Sequence, residues 1–302
     1  MTTDTHPLVS IVTPAYNQAE YLAETIDSVL AQDYPNIEYI VIDDGSTDET
    51  PAVLQRYDGR VRHERHPNMG QANTLNRGWE MARGSLIGYL SSDDWLEPNA
   101  ISKLVKALSE RPDAVVAYCD FQLIDAQGRG YRMVQAEEFS QKRLSVDLVC
   151  QPGPGALFRR EVFDRTGGWA GRLLHVPDFE FWLRASRFGP FIRVPQMLAH
   201  YRIHHGSASF MVTTAERSME IVGVMIAHWG GQSGPEVGRS MAAAHLFAAK
   251  SHAQSGRMGA SFLQCLAAVR YRPAALLAPA AWRMLLAGLL RRVGYYMLRR
   301  GK

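Results

Sequence analysis

The sequence contains few cysteines, and nothing in their arrangement would pair them. Its 302 residues include three, Cys119, Cys150 and Cys265, whose spacing fits neither a disulfide framework nor a zinc site. An odd number without a framework indicates a reducing compartment. The first residues also lack the basic and apolar segments of a secretory leader, so we expect a cytoplasmic protein.

Acidic residues are absent from the last part of the chain. The last of them is Glu236, and Val237–Lys302 contains 11 lysines and arginines, although the whole chain has 33 basic and 30 acidic residues. An acidic body followed by a basic tail indicates that the tail faces an anionic surface.

A long uninterrupted hydrophobic run is also missing. Ala274–Leu290 is nearly apolar over 17 residues, but Pro279 and Arg283 interrupt it. A helix that spans a membrane needs about 20 apolar residues, and a central arginine is costly there. Two interpretations stay open for residues 271–302: a helix lying on the cytoplasmic face of the membrane, or a helical subdomain packed on the rest of the chain. We expect no nucleic-acid partner, because no binding module is recognisable.

The sequence does contain a regular alternation of short apolar and amphipathic segments. Strands are predicted at residues 8–13, 37–42, 61–66, 85–90 and 114–119, and helices at 19–32, 71–82 and 99–110. This order predicts an α/β fold with a mostly parallel, doubly wound sheet. Residues 121–133 predict a hairpin, and no strand pattern remains after Phe210. We therefore expect a domain over 1–210 and a helical, basic region over 211–302.

Two of the predicted strands end in pairs of aspartates. Asp43 and Asp44 follow the second strand directly, and Asp93 and Asp94 follow the fourth after two serines. Carboxyl ends of parallel strands meet at one edge of a sheet, where ligands bind. Adjacent carboxylates repel unless a cation screens them, and Mg²⁺ prefers oxygen ligands shared with phosphate. Each pair alone is also explained by a solvated turn, but together they predict a metal and diphosphate site.

Six segments, in this order, resemble the motifs of glycosyltransferase family 2 over about residues 8–210. They are VSIVTPAYN (9–17), DDGSTD (43–48), NMGQANTLN (68–76), SDD (92–94), PDFEFWLR (177–184) and YRIHHGS (201–207). The resemblance implies a GT-A domain, which is Rossmann-like, and an inverting transfer of sugar from a nucleotide-diphosphate sugar, with a UDP-sugar the expected donor. It also implies that the acceptor is a hydroxyl of a glycan or lipid-linked molecule in cell-surface polysaccharide assembly.

The same resemblance assigns roles to individual residues. Asp178 would be the general base, and Asp94 with His204 would hold Mg²⁺ or Mn²⁺ on the diphosphate. The residues implied to bind the nucleotide-sugar are Thr13, Pro14, Tyr16, Asn17, Asp44, Asn68, Gly70, Asn73 and Asp93. Asp44 would contact the base of the nucleotide. The family often has Glu-Asp where this chain has Pro177-Asp178, so the acidic neighbour of the base is absent here.

Glycosyl transfer needs these side-chain types. A divalent metal stabilises the diphosphate leaving group as a Lewis acid, and a carboxylate removes the proton of the attacking hydroxyl. Inversion is a single displacement, which requires no covalent nucleophile. A simpler role stays open for Asp178, which could cap its helix. Separately, Ser46 or Thr47 could cap the helix after the second strand.

Two other functions are compatible with some of these residues. A nucleotide-sugar or glycan binding protein that has lost catalysis would keep the fold, and the absent acidic neighbour at Pro177 supports it. A dinucleotide-dependent oxidoreductase requires Gly-x-Gly-x-x-Gly after the first strand, and this chain has TPAYN at 13–17 instead. We therefore set the oxidoreductase aside.

Overall fold

The computed structural model of the protein describes residues 6–204, 206–207, 212–277, 282 and 286. The chain divides into two compact units. The first combines Met1–Phe139 with Cys150–Ile203, and the second combines Ser140–Val149 with His204–Lys302. The predicted boundary at residue 210 falls outside the described residues and stays a prediction.

The first unit is built on one sheet, which has nine strands within the described residues. They are β1 Val9–Ala15, β2 Ile37–Asp43, β3 Arg62–Arg65, β4 Leu86–Tyr89, β5 Trp95–Leu96, β6 Val116–Ile124, β7 Gly130–Val134, β8 Leu157–Arg159 and β9 Phe191–Arg202. Their spatial order is β3-β2-β1-β4-β8-β6-β9-β5, with β7 paired to β6.

Helices connect these strands and form the second unit. They are α1 Leu22–Leu30, α2 Thr50–Gln55, α3 Gln71–Met81, α4 Ala100–Glu110, α5 Gln141–Ser145, α6 Arg160–Thr166, α7 Pro177–Ala185, α8 Ala215–Trp229, α9 Pro235–Gln254 and α10 Met258–Tyr271. Of these, α5 and α8–α10 belong to the second unit.

The parallel pairs confirm the predicted α/β class. Strand β1 pairs in parallel with β2 and β4, β3 with β2, and β9 with β6, and these pairs contain most of the paired residues. Strand β8 runs antiparallel to both β4 and β6 and so joins the two halves of the sheet. The hairpin predicted at 121–133 is also confirmed, as β6 and β7.

Strand β1 lies at the centre of the core because helices cover both of its faces. All of its residues are buried. Helix α3 approaches it at Gly78, where an added Cβ would stand 2.3 Å from Cγ1 of Val12. That distance is far below van der Waals contact, so only a glycine allows this separation between helix and sheet.

The start of α2 differs from the sequence prediction. The cap position is Glu49, whereas Ser46 and Thr47 lie in the preceding turn, so the prediction of a serine or threonine cap is wrong. A proline in the first turn favours this start. The carboxylate of Asp48 accepts the N–H of Thr50 at 2.9 Å and thus supplies the acceptor that a capping hydroxyl would have supplied.

The second unit is helical wherever it contains described secondary structure. Helix α9 packs between α8 and α10, and a small apolar cluster joins its inner face to α10 and to a 3-10 turn at Pro273–Leu277; the cluster is Ala242, Leu246, Ala268 and Ala275. Among the helices of the described residues, none has the length and hydropathy to cross a membrane. Most of the predicted membrane segment 271–302 lies outside the described residues.

Two glycines in helices provide a matched test of the contact between α3 and β1. Gly78→Ala should lower the free energy of unfolding by about 1–3 kcal/mol, because the new methyl group overpacks against Val12. Gly223→Ala, in α8, meets nothing within 4 Å. It should raise stability by about 0.5–1 kcal/mol, since alanine favours helix over glycine. Urea unfolding of both variants measures the difference, and equal shifts of the midpoint would contradict the packing argument.

Candidate active site

The two acidic turns leave the sheet at the same edge. In the parallel register Asp43 lies opposite Ala15 at the end of β1, and Tyr89 at the end of β4 lies opposite Val12. Only β1 separates β2 from β4. Because neighbouring strands are about 4.8 Å apart, β2 and β4 run about 10 Å apart, and β4 ends three residues of β1 before β2 does. The convergence expected from sequence is therefore present.

The loop after β1 is fastened to the loop after β2. Asn17 has a left-handed backbone, with φ of 53°, which asparagine tolerates better than most residues. Its N–H donates to Oγ of Ser46 at 2.9 Å, and its Oδ1 accepts the N–H of Thr47 at 2.8 Å. Tyr16, 47% exposed, stands beside it at the open edge. These contacts join the two loops into one surface, on which Tyr16 and Asn17 are exposed.

Thr13 and Pro14 are less accessible than the prediction requires. Both are buried in β1, and the hydroxyl of Thr13 is hydrogen-bonded to the hydroxyl of Tyr39 at 3.0 Å. The hydroxyl of Thr13 can make a further hydrogen bond beside this one, because a hydroxyl both donates and accepts. Their roles stay predictions.

Asp44 organises the loop that precedes α3. Its carboxylate accepts the N–H groups of Met69 at 2.7 Å and Gly70 at 3.0 Å, and its carbonyl accepts Nδ2 of Asn68 at 3.0 Å. Asn73 closes the loop by donating Nδ2 to the carbonyl of Met69 at 2.8 Å. The structure thus gives Asp44 a scaffold role that sequence did not predict, while its contact with the base stays a prediction.

The second acidic turn is buried at Asp94. This side chain is 2% exposed, its Oδ1 accepts the main-chain N–H of Arg202 at 2.9 Å, and its carbonyl accepts the hydroxyl of Thr25 at 2.7 Å. Burial and the negative charge of Asp93 raise the pKa of Asp94 well above its ordinary value, and Arg202 opposes this rise. A buried acid beside a second acid is the environment that a bound cation would relieve.

Arg202, in the YRIHHGS segment, holds this turn in place. It is 2% exposed, and its Nε donates to the carbonyl of Asp93 at 2.9 Å. The rest of its guanidinium contacts the carbonyls of Asp125 and Ala126 at 3.2 and 3.1 Å and the carboxylate of Glu24. One side chain therefore joins the acidic turn to the β6–β7 hairpin and to α1.

Asp178 lies in the first turn of α7 and does not cap it. The cap position is Val176 and Pro177 begins the helix, so the alternative prediction of Asp178 as a cap is wrong. Burial raises the pKa of Asp178, and the N–H groups of Phe179 and of Asp178 itself, with the charge of His175, limit the rise. A carboxylate with a raised pKa is a stronger base.

The charges of both acids act on Tyr89, a residue to which the sequence analysis assigned no role. Burial raises the pKa of its hydroxyl well above the ordinary value, and the charges of Asp178 and Asp94 add to the rise. Both acids therefore lie close enough to Tyr89 to act on it. The one sequence signal that could have found Tyr89 is its place at the end of the strand that leads to Asp93 and Asp94.

The ring of Tyr89 is fixed by tryptophans. Trp169 and Trp79 pack edge-on against it, with ring centroids 5.2 and 6.3 Å away. The main chain of Trp169 is held by Asn76, whose Oδ1 accepts its N–H at 2.8 Å and whose Nδ2 donates to its carbonyl at 2.7 Å. The hydroxyl of Tyr89 has no hydrogen-bond partner among the residues described. A rigid ring with an unpaired hydroxyl beside two acids is suited to orient a substrate hydroxyl.

The donor groups of the acidic turn fit a divalent cation. Asp93 and Asp94 offer carboxylate oxygens, and Oδ2 of Asp94 accepts no hydrogen bond from the part of the chain that the structure describes. That part contains no group of three or more histidine, cysteine, aspartate or glutamate side chains placed to hold a metal. Two carboxylates suffice for Mg²⁺ or Mn²⁺ that takes its other ligands from water and diphosphate.

His204 belongs to the second compact unit. Its Nδ1 accepts the N–H of Gly206 at 3.2 Å, and its own N–H donates to Oγ of Ser207 at 3.0 Å. The role of His204 as a metal ligand stays a prediction.

Comparison with known proteins points to one family. Residues 10–167, more than half of the chain, match the model for "Glycosyl transferase family 2". An uncharacterized glycosyltransferase of Rickettsia prowazekii is 32% identical over 205 residues, which cover 66% of this chain and 64% of that protein. The chondroitin synthase of Escherichia coli is 30% identical over 207 residues, covering 66% of this chain but 29% of the synthase. The match thus spans less than two thirds of each of these relatives.

Solved structures share the fold. S. aureus TarS 1-349 in complex with UDP-GlcNAc superposes with a TM-score of 0.66 at 17% identity, covering 98% of this chain and 92% of the other. The mannosyltransferase PcManGT from Pyrobaculum calidifontis, in complex with GDP-Man and Mn²⁺, has a TM-score of 0.62 at 19% identity, covering 96% and 87%. These neighbours are GT-A glycosyltransferases.

Substitution of Arg202 tests its control of the acidic turn. Arg202→Ala leaves three main-chain carbonyls and the half-exposed carboxylate of Glu24 without their donor, so the free energy of unfolding should fall by about 1–3 kcal/mol. Arg202→Lys keeps the charge but cannot reach all of these acceptors. It should retain more stability than alanine and still weaken nucleotide-dependent Mn²⁺ binding several-fold.

Urea unfolding and Mn²⁺ titration calorimetry with UDP separate these two effects. Exposed Arg187, also on the first unit, provides a control as Arg187→Lys. Wild-type Mn²⁺ affinity in a folded Arg202→Lys protein would show that Arg202 does not position the turn.

Proposed function

Because the chain belongs to glycosyltransferase family 2, we propose that it transfers a sugar, with inversion, from a nucleotide-diphosphate sugar to a hydroxyl group. The observation that carries this proposal is that the charges of Asp94 and Asp178 both act on Tyr89, whose ring is held by Trp79 and Trp169. Asp94 would serve the leaving diphosphate, and Asp178 would be the base for the acceptor hydroxyl. That the chain is a glycosyltransferase follows from the family; the metal, the stereochemistry and the substrates are the proposed part.

A UDP-sugar is the donor that we propose. Neighbouring structures were crystallised with UDP-GlcNAc, with UDP and with GDP-Man, so the fold accommodates both nucleotide types. Tyr16 and Asn17 at the sheet edge, with Asn68, Gly70 and Asn73 in the loop before α3, would contact the nucleotide-sugar. Asp44 would contribute by holding that loop as well as by contacting the base.

The proposed acceptor is a glycan or a lipid-linked molecule in the assembly of a cell-surface polysaccharide. Relatives named chondroitin synthase and hyaluronan synthase support a polysaccharide product. We further propose that the protein works in the cytoplasm, on the cytoplasmic face of the membrane, with residues 271–302 contributing to that contact.

The residues divide the chemistry between them. Asp94, with Asp93 and His204, would hold Mg²⁺ or Mn²⁺, which when bound offsets the charge of the diphosphate leaving group. Asp178 removes the proton of the acceptor hydroxyl. Tyr89 donates a hydrogen bond to the same hydroxyl and orients it toward the anomeric carbon. As the proton passes to Asp178, the acceptor oxygen bonds to the anomeric carbon while the bond from that carbon to the diphosphate breaks on the opposite side, and this single displacement inverts the carbon.

A binding protein without catalysis is the second candidate, and Pro177 is the residue that raised it. In the structure this proline occupies the first turn of α7, a position that proline favours. The absence of an acidic neighbour therefore has a local structural reason. Release of UDP or GDP from a nucleotide-sugar, measured with the purified protein and a panel of acceptors, decides between the two candidates.

Substitution of Asp178 should separate activity from stability. Asp178→Asn should slow transfer by about 10²- to 10⁴-fold, the range that a general base contributes. The folded pKa of Asp178 is raised, so its ionisation costs stability once the pH exceeds the unfolded value, about 3.9 for an aspartate. The asparagine variant should therefore melt at an equal or higher temperature than wild type at neutral pH.

The same raised pKa predicts the acidic limb of the pH profile. Transfer by wild type should fall as the pH drops through a value above that of an ordinary aspartate, because Asp178 becomes protonated. Exposed Asp164 on α6 provides the control, and Asp164→Asn should change neither rate nor melting. A near-normal rate in Asp178→Asn would remove Asp178 from the mechanism.

Substitution of Asp94 tests the metal site without a turnover assay. Mn²⁺ with UDP should raise the melting temperature of wild type, because a ligand bound only to the native state stabilises it. Asp94→Asn keeps an oxygen for the N–H of Arg202 and removes the repulsion with Asp93, so it should fold. Its thermal shift with Mn²⁺ and UDP should disappear, and an unchanged shift would contradict the assignment of Asp94 as a metal ligand.

A further inference from the structure

Helix α10 presents an apolar face that no other described residue covers. Phe262 is 63% exposed, Leu263 61% and Leu266 50%, and Met258 at the start of the helix is 46% exposed. At about 100° per residue these four side chains fall on one side of the helix. Ser261 and Ala268 on the other side are buried. We call the exposed side the α10 face.

Positive charge borders the α10 face. Arg270 and Arg272 at the end of the helix are exposed, and neither has an ion-pair partner among the described residues. Arg257 differs from these two arginines, because its guanidinium donates hydrogen bonds to the carbonyls of Thr213 and Thr214 within the second unit. From Val237 to the last residue the sequence has 11 basic residues and no acidic one, so this region has no acid of its own to pair with these arginines.

We propose that the α10 face docks on the surface of a bilayer that contains anionic lipid. Apolar side chains on one side of a helix enter the boundary between headgroups and acyl chains, and neighbouring arginines contact the anionic headgroups. Trp282 and Leu277, 54% and 81% exposed, add apolar surface beyond the helix. The docking surface thus begins upstream of residue 271, within a helix whose buried side is already packed.

A second copy of the chain is a poorer occupant of this face. In a two-fold contact the same patch meets itself, so the contact would bring together two surfaces that are both bordered by Arg270 and Arg272. No acidic residue after Glu236 could offset that repulsion. An anionic lipid surface provides the opposite charge.

Co-sedimentation with vesicles tests the proposal on the full chain without substrate. Phosphatidylcholine vesicles with and without phosphatidylglycerol are the probes. The double variant Phe262→Ser with Leu266→Ser should lower partitioning onto the anionic vesicles by about ten-fold or more, since two exposed apolar side chains no longer insert. The control is Ile226→Ser on α8, a side chain 58% exposed in the same unit, and it should partition like wild type.

A charge variant covers the case in which the serine variant does not fold. Arg270→Gln with Arg272→Gln should lower anionic binding several-fold, with a weaker dependence on salt. Wild-type partitioning in folded serine or glutamine variants would overturn the proposal. So would a wild-type dimer in the absence of lipid that the serine variant loses, because the face would then join two copies. Nucleotide-sugar turnover in solution is measured separately, so loss of docking and loss of the proposed function are distinguishable.

Discussion

One hydrogen bond holds the candidate site in register: the main-chain N–H of Arg202 donates to the carboxylate of Asp94 at 2.9 Å. It joins the last residue of β9 to the residue that precedes β5, the strand that pairs with β9, and so extends that pairing to the acidic turn after β4. The side chain of Arg202 strengthens the link through the carbonyl of Asp93 and the carboxylate of Glu24. A buried arginine and a buried aspartate are each costly alone, so the packing of β9, α1 and the acidic turn depends on their being held together.

The acids of the site work against the stability of the fold. Burial raises the pKa of Asp94 and of Asp178, which means that the fold disfavours their charged forms. The sheet supplies the compensating stability through β1, which is buried along its whole length between β2 and β4. A rigid core that carries destabilised acids at one edge is the arrangement expected of a catalytic site.

Much of the fold could be predicted because local pattern and tertiary structure agree there. The segments predicted as strands became β1, β2, β3, β4 and β6, and the hairpin at 121–133 became β6 and β7; β1, β2 and β4 are buried nearly throughout, as their apolar sequences indicate. The start of α2 could not be predicted, because a carboxylate at Asp48 and a proline in the first turn replaced the expected hydroxyl cap. The scaffold role of Asp44 could not be predicted either, because its partners Met69 and Gly70 come from another loop.

Periodicity and short motifs were enough to establish the class of fold, the family and the edge of the sheet at which two acidic turns emerge. The folded chain was needed to find that Arg202 fastens the acidic turn and that tryptophans hold the ring of Tyr89 where the charges of Asp94 and Asp178 act on it. Hydrogen bonds, ring contacts and electric fields depend on distance in space. The residues that meet at this site come from strands and helices far apart in the chain, so no local pattern records their contacts.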